Sequence, residues 1–261
     1  MADAGPGSSD NPLSFGPLWA DTLDLVRRHG EILWPLAAAF LFLPQILIAV
    51  VTPEQGPNAR PDMGPDMALA MLMLAAGLAG LLATLVGQVS VAFLAVHDGT
   101  AGLTLGQVIA RSARLLLPAM AVVLMQGIAI FVGLLLLIVP GLWLLARFSV
   151  ALPTVSVGPH DPLEALKESW RLTEGYALKI LGALLILTLG MFILYFGILA
   201  IGVAVGAIGT IAGGQPETGW SLGRWAFEVI GAAAVAAMGV ISICFYSSLL
   251  KTLRRLPRHS A

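Results

Sequence analysis

Six long stretches of this chain contain almost nothing that water would solvate, and that limits the fold more than any other feature. They run Ile32 to Val51, Met67 to Val96, Ala119 to Val139, Leu142 to Val157, Ile180 to about Ile208, and Trp225 to Leu250. A bilayer crossing takes about 20 mostly apolar residues, so each run is long enough, or nearly so, to span. Charged residues make up only 11% of the chain, against the roughly 25% of a soluble domain, which leaves no polar shell for a water-soluble globule. The expected fold class is all-α: a polytopic membrane bundle of six transmembrane helices.

The fifth run would be two crossings if it were split after its midpoint. The tail after Leu250 carries Lys251, Arg254, Arg255 and Arg258, and the positive-inside rule places such a cluster in the cytoplasm. Six spans satisfy this and seven do not. The excess, with Gly202, Gly206, Gly209, Gly213 and Gly214, is expected to be a tilted, broken or partly re-entrant continuation on the outer side. With an inner N-terminus, Arg27, Arg28, Arg111, Arg114, Lys167, Arg171 and Lys179 also fall inside, and the acids Glu54, Asp62, Asp66 and Glu217 fall outside. Both termini are therefore expected in the cytoplasm, with the bundle in a bacterial inner membrane. Pro140 and Gly141 are expected to form the tight turn joining the third and fourth spans as a hairpin.

The water-compatible segments have a common register. In 160–179, Asp161 can cap a helix, Pro162 suits its first position, and Glu164 stands where a capping box wants an acid. Leu163, Leu166 and Trp170 then recur at helical spacing, with Glu164, Lys167, Glu168 and Arg171 on the rest of the wheel, up to Gly175. This predicts an amphipathic helix at the membrane surface, with Trp170 as an interface anchor. Aligning Ser14, Thr104 and Asp161 as caps brings Thr22, Ser112 and Ser169 into register eight residues on, and Leu25, Leu115 and Leu172 eleven on. The chain thus reads as a threefold internal repeat, each unit a cytoplasmic amphipathic helix followed by a two-span hairpin, over about 13–102, 103–160 and 161–255. Together these form one transmembrane domain. Residues 1–12, acidic and rich in small residues, are expected to be a disordered tail without a secretory signal, and 256–261 a cytoplasmic tail.

From Pro140 to Gly175 the chain carries PGLWLLARFSVALPTVSV and then DPLEALKESWRLTEG. This resembles a bacterial six-helix membrane family, the glycerophosphoryl diester phosphodiesterase membrane-domain type and its YciC-like relatives. The matching positions are Pro140, Gly141, Arg147 and Pro153, then Ala165, Leu166, Ser169, Trp170, Leu172, Thr173 and Gly175, with Ser-Trp-x-Leu-Thr-x-Gly the most specific part. The resemblance implies a polytopic inner-membrane protein and no phosphodiesterase activity. In proteins of that name the hydrolase is a separate barrel of roughly 250 residues, for which this chain has no room.

Candidate site residues are few. Arg147 stands inside the fourth span, where an unpaired arginine costs about 2.5 to 3.5 kcal/mol on insertion scales. Glu228, at a similar depth in the sixth span, is the candidate for an intramembrane charge pair with it. Snorkelling and a substrate or lipid site are the other readings. The candidate interfacial motif comprises Asp161, Glu164, Ser169, Trp170, Arg171, Thr173 and Gly175. Gln45, Gln88 and Gln126, and the small-residue runs Gly77 to Gly80, Gly231 to Gly239 and Gly202 to Gly206, are read as helix-packing features.

No catalytic constellation is visible. His97-Asp98 and His160-Asp161 lack the further ligands a metal would need, and Cys244 has no second cysteine, so neither a metal nor a cofactor is expected. Scattered basic residues and a net charge of -1 exclude nucleic acid as a partner. The expected function is a non-enzymatic membrane component organising lipids or partner proteins through its cytoplasmic helices, with membrane lipids, protein partners or a homo-oligomer as companions. The alternative is a transporter or channel for a small solute or lipid.

Overall fold

The computed structural model describes residues 13–51, 67–96, 104–158, 161–211 and 222–256. The tail at 1–12, the outer-loop charges and the two His-Asp dipeptides' histidines lie outside the described residues. The described chain is helical throughout, and six of its helical stretches are long and apolar enough to cross a bilayer. It is a multi-pass membrane bundle, as the apolar runs require.

The first helical stretch is continuous from α1 (Phe15–Ala37) through a π-helical turn (Ala38–Phe42) into α2 (Leu43–Val51). The π turn has a local cause. Pro44 has no N–H for the carbonyl of Phe40, and the Leu43 N–H reaches back five residues to the Ala38 carbonyl. The bulge this makes is filled by α3 (Met67–Val96), whose Gly87 lies so close that a Cβ there would stand 2.8 Å from the Phe40 Cβ.

α4 (Leu105–Arg114) and α5 (Leu116–Leu136) meet at Leu115, and Leu137 alone, in extended conformation, joins α5 to α6 (Ile138–Phe148). The turn therefore comes earlier than the sequence predicts. Pro140 and Gly141 occupy the first turn of α6, where a missing N–H costs nothing. A Cβ on Gly141 would lie 2.7 Å from the Leu134 nitrogen, and one on Gly133 3.0 Å from the Gly141 Cα, so the two glycines set how tightly the hairpin closes.

The fourth span is two helices, not one. α6 stops at Phe148, and α7 (Ala151–Val157) follows a turn at Ser149 and Val150. Pro153 accounts for this, since it cannot donate to the Ser149 carbonyl. α8 (Pro162–Leu172), α9 (Ala177–Ile211) and α10 (Leu222–Arg255) complete the chain. α9 is a single unbroken helix through the glycine-rich part up to Ile211, so within the described residues the fifth run is neither broken nor re-entrant.

The core divides into three apolar clusters. One joins α1, α3, α4 and α10 around Leu36, Leu94, Val108 and Val240. A second joins the start of α1 to α6, α9 and α10 around Leu18, Ala146, Ile180 and Leu249. The third joins α3, α5, α7 and α8 around Val89, Ala119, Val155 and Ala165. All three draw on the same end of the bundle, where α1, α4 and α8 begin and α10 ends. Away from that end, Met71, Leu74, Leu135, Ile193, Val203 and Ile230 face outward, as residues in contact with hydrocarbon should.

Candidate functional site

The three caps stand where the register places them. Ser14, Thr104 and Asp161 occupy the N-cap positions of α1, α4 and α8, and of these the side chains of Thr104 and Asp161 make a capping bond while that of Ser14 does not. Thr104 and Gln107 form a reciprocal capping box. Asp161 instead accepts from the Leu163 N–H at 3.0 Å, so Glu164 does not close the predicted box; it lines a groove with Lys167, Glu168, Arg171 and Arg254. Eight residues after the caps, Thr22, Ser112 and Ser169 are all buried, and so is the apolar residue four after each cap: Leu18, Val108 and Ala165. The shared register therefore marks which face of each helix turns inward.

The hydroxyls on that face are used differently. Thr22 donates to the Leu18 carbonyl of its own helix at 2.7 Å and lies 3.2 Å from the Ser248 hydroxyl of α10. Ser169 donates to the Arg147 carbonyl at 2.7 Å, tying α8 to α6. The Ser112 hydroxyl is buried without a hydrogen-bond partner among the described residues.

Arg147 is the centre of the most specific arrangement in the molecule. It stands at the end of α6, 8% exposed, next to the α6–α7 break. Its guanidinium carbon lies 4.8 Å from the ring centroids of both Trp143 and Trp170, and the two rings meet edge to face at 5.0 Å. Its Nη1 donates to the Trp170 carbonyl at 3.0 Å. Beside the break, its own carbonyl accepts from the Ser169 hydroxyl, and the Thr173 hydroxyl, whose shortest acceptor is the Ser169 carbonyl at 2.8 Å, stands 3.3 Å away. Thr173 is also the C-cap of α8, and Gly175 completes the exit with φ +77°, a left-handed conformation that favours glycine.

The Ser-Trp-x-Leu-Thr-x-Gly motif is thus a clasp that closes α8 on the broken span. Trp170, half-buried, packs on Arg147, Trp143 and Phe148, contacts the helical period alone does not predict. Leu166 is buried, whereas Leu163 is 47% exposed. Arg171 points the other way and pairs with Glu168 on the surface.

The predicted charge pair does not form. Arg147 instead faces two aromatic rings and donates Nη1 to one carbonyl, while its Nε is buried without a hydrogen-bond partner among the described residues. Glu228 instead lines a cavity of about 220 Å³ between α2, α9 and α10, with Gln45, Tyr195, Ile198, Phe227 and Gly231 among its walls. Equal depth in the membrane had suggested the pairing, but depth does not say which way a side chain points.

The helix-packing residues divide. A Cβ on Gly202 would collide with Phe227, one on Gly80 would stand 3.3 Å from Ile48 and one on Gly239 3.4 Å from Leu41, whereas one on Gly77 or Gly231 would meet nothing within 4 Å. The buried Gln126 Oε1 has no partner among the described residues. Sequence reasoning missed a basic cleft of about 640 Å³ at the capped end. It is walled by Gln107, Arg111, Arg114, Leu115 and Pro118 of α4 and α5, by Phe93 of α3, and by Ser156 to Gly158 at the end of α7. The signal was available in Arg111 and Arg114, one turn apart and just before an uncharged run. Comparison with family models, with curated proteins and with solved structures returned no match.

Proposed function

We propose that this protein is a non-enzymatic component of a bacterial inner membrane, of the six-helix kind that its clasp motif resembles. In this reading both termini are cytoplasmic, and the protein organises lipids or partner proteins through the end of the bundle that carries α4 and α8. One observation carries the proposal: the molecule concentrates its well-packed core, its helix caps and most of its described basic side chains at a single end. There Arg111, Arg114, Lys167, Arg171 and Lys179 are exposed on a frame held by the Arg147 clasp. Polar chemistry within the bundle is mostly spent on internal bonds, as at Thr22, Ser169 and Thr173.

Photo-crosslinking from position 167 in native membranes tests this reading. A defined lipid or protein adduct is expected, lost when the crosslinker is moved to the outward-facing position 193 in the middle of α9. Equal and unspecific labelling at both positions would remove the basis for the proposal. The Glu228 cavity favours a second reading, transport, because it places a carboxylate, an amide and a phenol between three spans. Solute flux in reconstituted vesicles that disappears with Glu228→Gln would establish transport in place of organisation.

A further inference from the structure

We propose that the cleft between α4 and the end of α7 binds the phosphate group of an anionic phospholipid. This deepens the reading above and rests on it. Arg111 and Arg114 stand in the last turn of α4, and both are exposed. Among the described residues neither has a carboxylate partner, and no lining residue of the cleft is acidic. Arg111 lies with its guanidinium carbon 5.2 Å from the Phe93 ring centroid, which orients the group and leaves its N–H edges for another acceptor.

The ordinary role of two arginines at a helix C-terminus is to complement the helix dipole, and these do so. That role does not need a cleft. Here α4, α3 and α7 enclose about 640 Å³, a volume in the range of small-molecule sites.

The position of the cleft selects its ligand. The uncharged run of α5 begins at Leu116, two residues after Arg114, and the span containing α7 ends at Val157, so the cleft sits where two spans stop. Leu115, Pro118 and Val157, at the ends of those spans, give it an apolar floor beside the guanidinium groups of Arg111 and Arg114. A soluble phosphate would use the charges and leave the floor bare. A phospholipid uses both, with the phosphate against Arg111 and Arg114 and the acyl chains leaving along α5.

The experiment uses the full chain in nanodiscs of phosphatidylcholine with a minor share of phosphatidylglycerol. Lipid retained after transfer to non-ionic detergent is quantified by mass spectrometry. The wild type is expected to enrich phosphatidylglycerol, and Arg111→Gln with Arg114→Gln to lose roughly fivefold of that enrichment for each arginine. Lys167→Gln is expected to retain it. Arg111→Lys with Arg114→Lys is expected to keep most of it, which separates loss of charge from loss of fold. Ala110 also lines the cleft, and Ala110→Trp fills it and keeps both charges, so it too should abolish enrichment.

Unchanged enrichment in the double glutamine variant, or in Ala110→Trp, would overturn the site. Release of the lipid by low-millimolar inorganic phosphate would overturn the lipid as occupant and assign the cleft to free phosphate. If the cleft fails while crosslinks from position 167 still recover a defined adduct, the broader function stands without this site. Failure of both removes both.

Discussion

α1 and α8 begin with the same register and reach the bundle by different means. Each has a cap, a buried apolar residue four positions on and a buried hydroxyl eight positions on. α1 then runs without interruption through its π turn to the far end of its span, so its inward face is held by the same rod that crosses the membrane. Its hydroxyl at Thr22 already has an acceptor in its own helix, and the contact with Ser248 adds to a seam that Leu18 and Leu25 have made apolar. α8 is cut off from α9 by the turn at Gly175, and its position is set by directional bonds to Arg147. A continuous helix can rely on non-directional burial, whereas a detached one needs contacts that fix its orientation.

That contrast is open to direct challenge. Arg147→Ala should have the largest effect, because it removes a charged hydrogen bond and two ring contacts and empties the space between Trp143 and Trp170. A loss of about 3 kcal/mol is expected, set against the relief of burying one charge less. Hydrogen exchange should show α8 opening while α1 stays protected, and equal deprotection of both helices would erase the distinction between them.

Gly175→Ala comes next. It places a Cβ in a left-handed conformation at a cost of about 1 to 2 kcal/mol, read as a lower unfolding midpoint in detergent. A stabilised variant would mean that the α8–α9 turn does not depend on this glycine. Ser169→Ala should cost about 1 kcal/mol, because the Arg147 carbonyl keeps Thr173 as a donor. The Thr173→Val variant combined with it should cost more than the sum of the two singles, since only the double variant leaves the Arg147 carbonyl with neither hydroxyl in reach.

Thr22→Ala is expected to cost less than Ser169→Ala, about 0.5 kcal/mol, because its hydroxyl mainly bonds its own helix. If it cost more, α1 would be the helix held by its polar contact. The smallest expected effect is the coupling between Arg147→Ala and Glu228→Ala. The two should add to within about 0.5 kcal/mol, as separate sites do, and a larger coupling in a double-mutant cycle would restore the charge pair.

The spans, caps and inward faces are legible in the sequence because each rests on a local signal: apolar length, a cap residue, a helical period. Thr22, Ser112 and Ser169 align by register alone, and all three are buried. What is not legible is which helices face one another. Arg147 and Glu228 share a depth, and depth is all the sequence offers, so the aromatic pocket formed by Trp143 one turn away and Trp170 on another helix leaves no trace in it. The α6–α7 break could have been inferred from Pro153, which leaves the Ser149 carbonyl without its usual donor. Gly87 could not, since one glycine in an apolar run looks the same whether or not a neighbouring backbone presses on it.

The uninterrupted course of α9 has a geometric corollary. Thirty-five helical residues make a rod about 52 Å long, and the oily slab of a bilayer is about 30 Å thick. Even leaning by about 40°, the upper end of common tilts, such a rod threads only about 39 Å of that slab. About nine of its residues must therefore stand proud of the hydrocarbon, shared between the Lys179 end and the glycine-rich end. Those at the glycine-rich end are greasy, and headgroups or neighbouring protein must shelter them from water.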